Sequence, residues 1–138
     1  MAYYFLSYSD NLALEFGGEA KGPFITIRPK YESDVGLHEH EKTHVRQWYA
    51  VTGFGWVVCA LLALLISPVF WILCSVAPFL HQVFYRYVRP YRRWCEVQAY
   101  QQQIANGDYA NSDFAVSALV EKYDLGLDSQ EAKALLAD

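Results

Sequence analysis

His40, Glu41 and His44 form the pattern H-E-x-x-H inside the run His38-Glu39-His40-Glu41-Lys42-Thr43-His44-Val45-Arg46-Gln47-Trp48. Residues four apart on a helix lie one above the other on one face, so both imidazoles can aim a nitrogen at a single metal ion. Glu41 stands beside them as a base. Zinc held by three protein ligands keeps a fourth position open and lowers the pKa of water there from about 16 to about 7, while a neighbouring carboxylate takes the proton. The chemistry expected is attack of water on a carbonyl.

Two plainer readings compete. With 4 His and 8 Glu among 138 residues, independent placement produces the pattern in roughly one chain in 150. Three of the 4 histidines also fall within residues 38–44, as a solvated patch or an adventitious metal site would have them. His38 fits that view best, because two positions before His40 is about 200° around a helix.

Two histidines do not make a catalytic site, so another element must supply a third ligand. Trp94-Cys95-Glu96-Val97-Gln98-Ala99-Tyr100 begins a helical stretch that Asn106-Gly107 is suited to stop. Glu96 is the only acidic residue between Glu41 and Asp108, which makes it the ligand candidate, with Tyr100 one turn later on the same face. The alternative for Glu96 is an ion pair with Arg92 or Arg93.

The elements that must hold these residues are unusual. Gln47 to Tyr85 is a run of 39 residues without Asp, Glu, Lys or Arg, and Trp56 to Ile66 is wholly apolar. Ser67-Pro68 cuts the run, since proline cannot continue a helix, and two helices joined by a tight turn are predicted. Residues 51–85 then form a hydrophobic helical hairpin, with Gly53–Ile66 as one arm and Val69–Tyr85 as the other. Each arm gains several kcal/mol in a bilayer at about −0.3 to −0.6 kcal/mol per large apolar residue. Length argues the other way, because a 14-residue helix rises only about 21 Å against a hydrocarbon core of about 30 Å.

Lys42 and Arg46 precede the run; Arg86, Arg89, Arg92 and Arg93 follow it, among Tyr85, Tyr87, Tyr91 and Trp94. By the positive-inside tendency both ends lie on the cytoplasmic side, as a hairpin permits. The expectation is a membrane-associated chain with its active site on that side. The alternatives are a soluble cytoplasmic or virion-associated chain that buries the hairpin in an oligomer.

The remaining totals set bounds. The length of 138 residues fits one domain, and a net charge of −4 without a basic tail gives no reason to expect a nucleic-acid partner. Cys59, Cys74 and Cys95 form no C-x-x-C pair and read as reduced, buried thiols. The first ten residues lack the basic leader and apolar stretch of a signal peptide. Asn11–Phe16 and Phe24–Arg28 read as two short strands around a loop, and residues 111–123 and 128–137 as amphipathic helices with Asn111 or Ser112 and Asp128 or Ser129 as N-caps. The C-terminal helices carry no catalytic signal.

His40-Glu41-x-x-His44-Val45-Arg46-Gln47-Trp48 followed by Glu96-x-x-Ala99-Tyr100 resembles the gluzincin metallopeptidases, in particular short phage and bacterial peptidases with HExxH-x-RQ and ExxAY motifs. The likeness rests on about ten positions spread over roughly residues 24–105. It implies peptide-bond hydrolysis of a peptide or protein substrate, Zn²⁺ bound by His40, His44 and Glu96, and Glu41 as general base. Tyr100 is a candidate stabiliser. The succession of metal helix, hydrophobic hairpin and glutamate helix is also similar to membrane-embedded zinc peptidases of the CAAX-processing and heat-shock type. Those enzymes carry an aspartate where this chain has Tyr100, and the short soluble relatives have a briefer connection between the motifs.

The fold expected is α+β and predominantly helical, a minimal zincin-like domain spanning 1–138. Its segments are a β-hairpin region (1–30), a metal helix (36–50), the hydrophobic hairpin (51–85), a ligand helix (86–106) and C-terminal helices (111–138). In zincins a strand such as Phe24–Arg28 borders the cleft and pairs with substrate; covering the helices is its other reading. From a different class, the chain is a non-enzymatic membrane-hairpin or virion component whose metal only staples two helices.

Overall fold

The computed structural model of the protein describes residues 3–137; Met1, Ala2 and Asp138, at the ends of the expected 1–30 and 111–138 segments, lie outside the described residues. The order is β1 (Phe5–Tyr8), β2 (Gly18–Lys21), β3 (Phe24–Ile27), α1 (Val35–Leu65), α2 (Ala77–Tyr87), α3 (Arg89–Asn106), α4 (Asp113–Glu121) and α5 (Ser129–Ala137). Short 3-10 helices occupy Pro29–Tyr31 and Pro68–Ser75. The chain is predominantly helical α+β with a small N-terminal sheet, as its patterning predicts.

The sheet has the order β1-β3-β2, with β1 parallel and β2 antiparallel to β3. Gly22 takes φ +60° in the two-residue turn Gly22-Pro23, matching the glycine-first requirement of a type II′ hairpin. Alternate β3 residues Ile25 and Ile27 bury against Val45 of α1. Among the described residues, one edge of β2 has no strand partner.

The strand expected at Asn11–Phe16 does not form, and Gly18–Lys21, read as loop, is β2 instead. The cause is Arg28, whose nearly buried guanidinium gathers the carbonyls of the preceding segment. It donates to Phe16 O and Leu12 O at 2.8 Å, Ala13 O at 3.0 Å and Asp10 O at 3.2 Å. Carbonyls turned inward onto one side chain cannot also serve a ladder. Arg28→Leu is expected to cost about 2–3 kcal/mol of stability by stranding several acceptors. Denaturant unfolding measures it, and an unchanged midpoint would mean that the loop is held by other contacts.

Asp34 caps α1, its Oδ1 accepting from Leu37 N at 2.9 Å. The helix does not stop near residue 50 as expected but continues to Leu65 as the first arm of the hairpin. Charge vanishes at Gln47, yet no proline or cap follows, and Gly53 and Gly55 cost only about 1 kcal/mol each relative to alanine. Gly55 is also a packing position: a Cβ there would lie 3.0 Å from Ala77 Cβ and 3.1 Å from Leu80 Cδ1. Its absence lets α2 approach α1.

Ser67-Pro68 ends the first arm as predicted. The return arm is not one helix over Val69–Tyr85; the 3-10 segment Pro68–Ser75 meets α2 at a bend of 56°. Pro78, in the first turn of α2, lacks an N–H and disfavours helical geometry before it, so the helix restarts there. Trp48 Nε1 donates to Pro78 O at 2.8 Å and pins the restart to α1. α1 is long and apolar enough to cross a membrane, and Phe54, Val57, Leu61, Leu64 and Leu65 on its outer half are exposed.

α3 stops at Asn106-Gly107 as predicted, and α4 and α5 form near their expected positions. Tyr100 packs into a core with Val116, Leu119, Leu125 and Leu127, so the tail supports the back of α3. Asp128 Oδ1 accepts from Gln130 N and Glu131 N at 2.8 Å, while Glu131 Oε2 accepts from Asp128 N at 3.0 Å, the reciprocal pattern of a capping box. All three cysteines are free thiols; Cys59 and Cys95 are buried and Cys74 is half-buried.

Candidate metal centre

One helical turn separates His40 from His44 on α1, and α3 packs across that face with Glu96. The two Nε2 atoms lie 3.2 Å apart. Glu96 Oε2 is 3.8 Å from His40 Nε2, and Oε1 is 3.4 Å from His44 Nε2. One donor atom from each residue falls within 4.8 Å of the others, close enough to share an ion.

Glu96 is only 1% exposed, and a carboxylate so placed needs a partner. Arg92 does not serve: it donates to Tyr85 O at 2.8 Å and Tyr123 O at 2.9 Å. Tyr85 donates a short hydrogen bond to Glu96 Oε1, whereas Oε2 has no hydrogen-bond partner. Two imidazoles and an under-satisfied carboxylate fit a divalent cation in donor type and charge. His38 stands apart, its Nε2 3.0 Å from Glu32 O.

Gln47 orients His44. Its Oε1 lies 3.0 Å from His44 Nδ1, and its Nε2 donates to Cys95 O at 3.1 Å, next to Glu96. One amide therefore ties His44 on α1 to the backbone beside Glu96 on α3. Burial, then the neighbouring His44, pushes the His40 pKa well below the usual histidine range, which keeps the ring neutral and able to ligate.

Glu41 is 4% exposed and lines the same cleft. Burial, followed by the charges of Glu96 and Glu19, raises its carboxyl well above the usual range. β2 comes so close that a Cβ at Gly18 would sit 2.7 Å from Glu41 Oε1.

The cleft has a volume of about 560 Å³. Its walls are β2, the base of α2 with His81 and Tyr85, and Lys122–Asp124 after α4. The strand at the cleft is thus β2, not the central Phe24–Ile27. Tyr100 sits behind the site: its ring meets His40 edge-on at 4.5 Å, its hydroxyl lies 3.2 Å from Tyr123 OH, and it does not line the cleft. Tyr85, His81 and Tyr123 do, and none was singled out from the sequence as a site residue. A histidine inside an uncharged run was the one available signal; Tyr85 reads equally well as an interface aromatic. No protein-family model, curated protein or solved structure matches the chain.

Proposed function

We propose that the protein is a zinc-dependent metallopeptidase of gluzincin type working at a membrane surface. The supporting observation is the convergence of His40, His44 and Glu96 from two helices at the floor of a cleft, with Glu41 beside them. His40 and His44 would hold the ion through Nε2 and Glu96 through its carboxylate. Zinc bound there would supply Lewis acidity, polarising a scissile carbonyl and acidifying water.

The chain's own groups do the rest. Glu41, in the cleft beside the two histidines, takes the proton from water and passes it to the leaving amine. Tyr85 holds Glu96, and Gln47 holds His44. The open edge of β2 offers backbone groups to an extended peptide lying along the cleft. Gly18→Ala is expected to lower casein hydrolysis about 100-fold by displacing the Glu41 carboxylate, since a shift near 1 Å costs about that much. Zinc content and fold should stay unchanged, because the clash falls on the end of a flexible side chain.

The exposed apolar arms and the basic residues at their base support a bilayer as the hairpin's surroundings, with the cleft on the cytoplasmic side. Zinc analysis of the purified chain, followed by casein turnover with chelator and zinc add-back, tests the activity. Stoichiometric zinc and reversible turnover are expected. Zinc held with all four positions filled by protein, and no turnover, would instead make the ion a staple between α1 and α3.

A further inference from the structure

Among the described residues His40 Nδ1 and Gln103 Oε1 are both buried without a hydrogen-bond partner, and Gln103 of α3 packs against α1 one turn before His40, where a Cβ at Gly36 would lie 2.7 Å from Gln103 O. The polarity of the surrounding bonds explains this. The Asp34 carboxylate, at the cap of α1, accepts from Leu37 N and from the Tyr109 hydroxyl. Tyr109, pushed up to about 12 by burial and by Asp34, stays protonated and donates that bond. Its oxygen therefore accepts from Gln103 Nε2, at 3.1 Å, and Gln103 is left with its carbonyl oxygen for His40.

The opposite end is equally constrained. The Gln47 amide donates to Cys95 O and to Gln98 Oε1, so its own oxygen accepts from His44 Nδ1–H and leaves His44 Nε2 bare. The 3.2 Å contact between the two Nε2 atoms then needs the proton on His40 Nε2. His40 Nδ1 and Gln103 Oε1 are then both left as buried acceptors.

We propose that Asp34, Tyr109 and Gln103 form a positioning relay that sets His40 in its metal-ready tautomer. With Nε2 given over to an ion, the single ring proton sits on Nδ1 and donates to Gln103 Oε1, which satisfies both orphaned atoms at once. Two glycines make room for the relay: a Cβ at Gly36 would lie 2.5 Å from Tyr109 OH, and one at Gly107 would lie 2.0 Å from Tyr109 Cε2. The relay rests on the zinc reading and adds to it how one ligand is oriented from a helix cap.

Long-range ¹H–¹⁵N correlation of the imidazoles in the full chain tests it. The expected result is His40 protonated at Nε2 without metal and at Nδ1 with zinc. Chelator competition should find zinc affinity about 10–100-fold lower in Gln103→Leu, the usual cost of losing such an orienting partner. Tyr109→Phe should weaken zinc in the same direction, and it carries the test if Gln103→Leu fails to fold. Zinc-loaded His40 without a proton on Nδ1, or undiminished affinity in the folded variants, would overturn the relay alone. A parent chain that takes no zinc would remove the metal reading and the relay together.

Discussion

Glu41→Gln is expected to retain stoichiometric zinc while casein turnover falls on the order of 10³-fold, the scale of a lost general base. Glutamine has nearly the same shape, so the close approach of Gly18 and the packing of a 4%-exposed side chain survive. What disappears is the carboxylate that accepts a proton. Glu96→Gln makes the contrasting control. It takes the negative charge out of the ligand set and should lose zinc and turnover together, whereas Glu41→Gln separates the two. If Glu41→Gln cleaves as fast as the parent, another group is the base and the mechanism above is wrong.

Leu61→Arg combined with Leu65→Arg is expected to release the chain from liposomes that the parent binds. Both leucines are exposed, at 52% and 80%, and stand one turn apart on α1, so neither change opens the protein core. An arginine in the middle of a bilayer costs about 2.5–3.5 kcal/mol on the insertion scale, and two cost about 5–7 kcal/mol. That corresponds to more than a 10³-fold drop in partition. Flotation with liposomes containing anionic lipid measures the effect, and the basic residues at the base of the hairpin should make the parent's binding weaken with salt. A parent that stays monodisperse without detergent and does not float would mean that the arms pack against other subunits.

Local sequence determined more of the site than of the hairpin. His40, Glu41 and His44 were legible because helical spacing alone puts i and i+4 on one face. The convergence of Glu96 on the two histidines was legible because no other carboxylate lies between Glu41 and Asp108. The break at Ser67-Pro68 and the stop at Asn106-Gly107 followed from backbone chemistry local to those residues. The boundary placed near residue 50 failed because loss of charge reports a change of surroundings, which a helix can cross without ending. The strand at Asn11–Phe16 failed because Arg28, more than ten residues away, claimed its carbonyls.

Tertiary structure alone decided the rest. It brought Glu96 to within 3.4 Å of His44, turned Arg92 toward backbone carbonyls, and set Tyr85 rather than Tyr100 on the Glu96 carboxylate. It also linked Asp34 through Tyr109 and Gln103 toward His40 across some seventy residues of chain. Periodicity assigns residues to a face of their own element. Which face of another element they meet, and which hydrogen-bond polarity results, depends on packing between segments far apart in the chain.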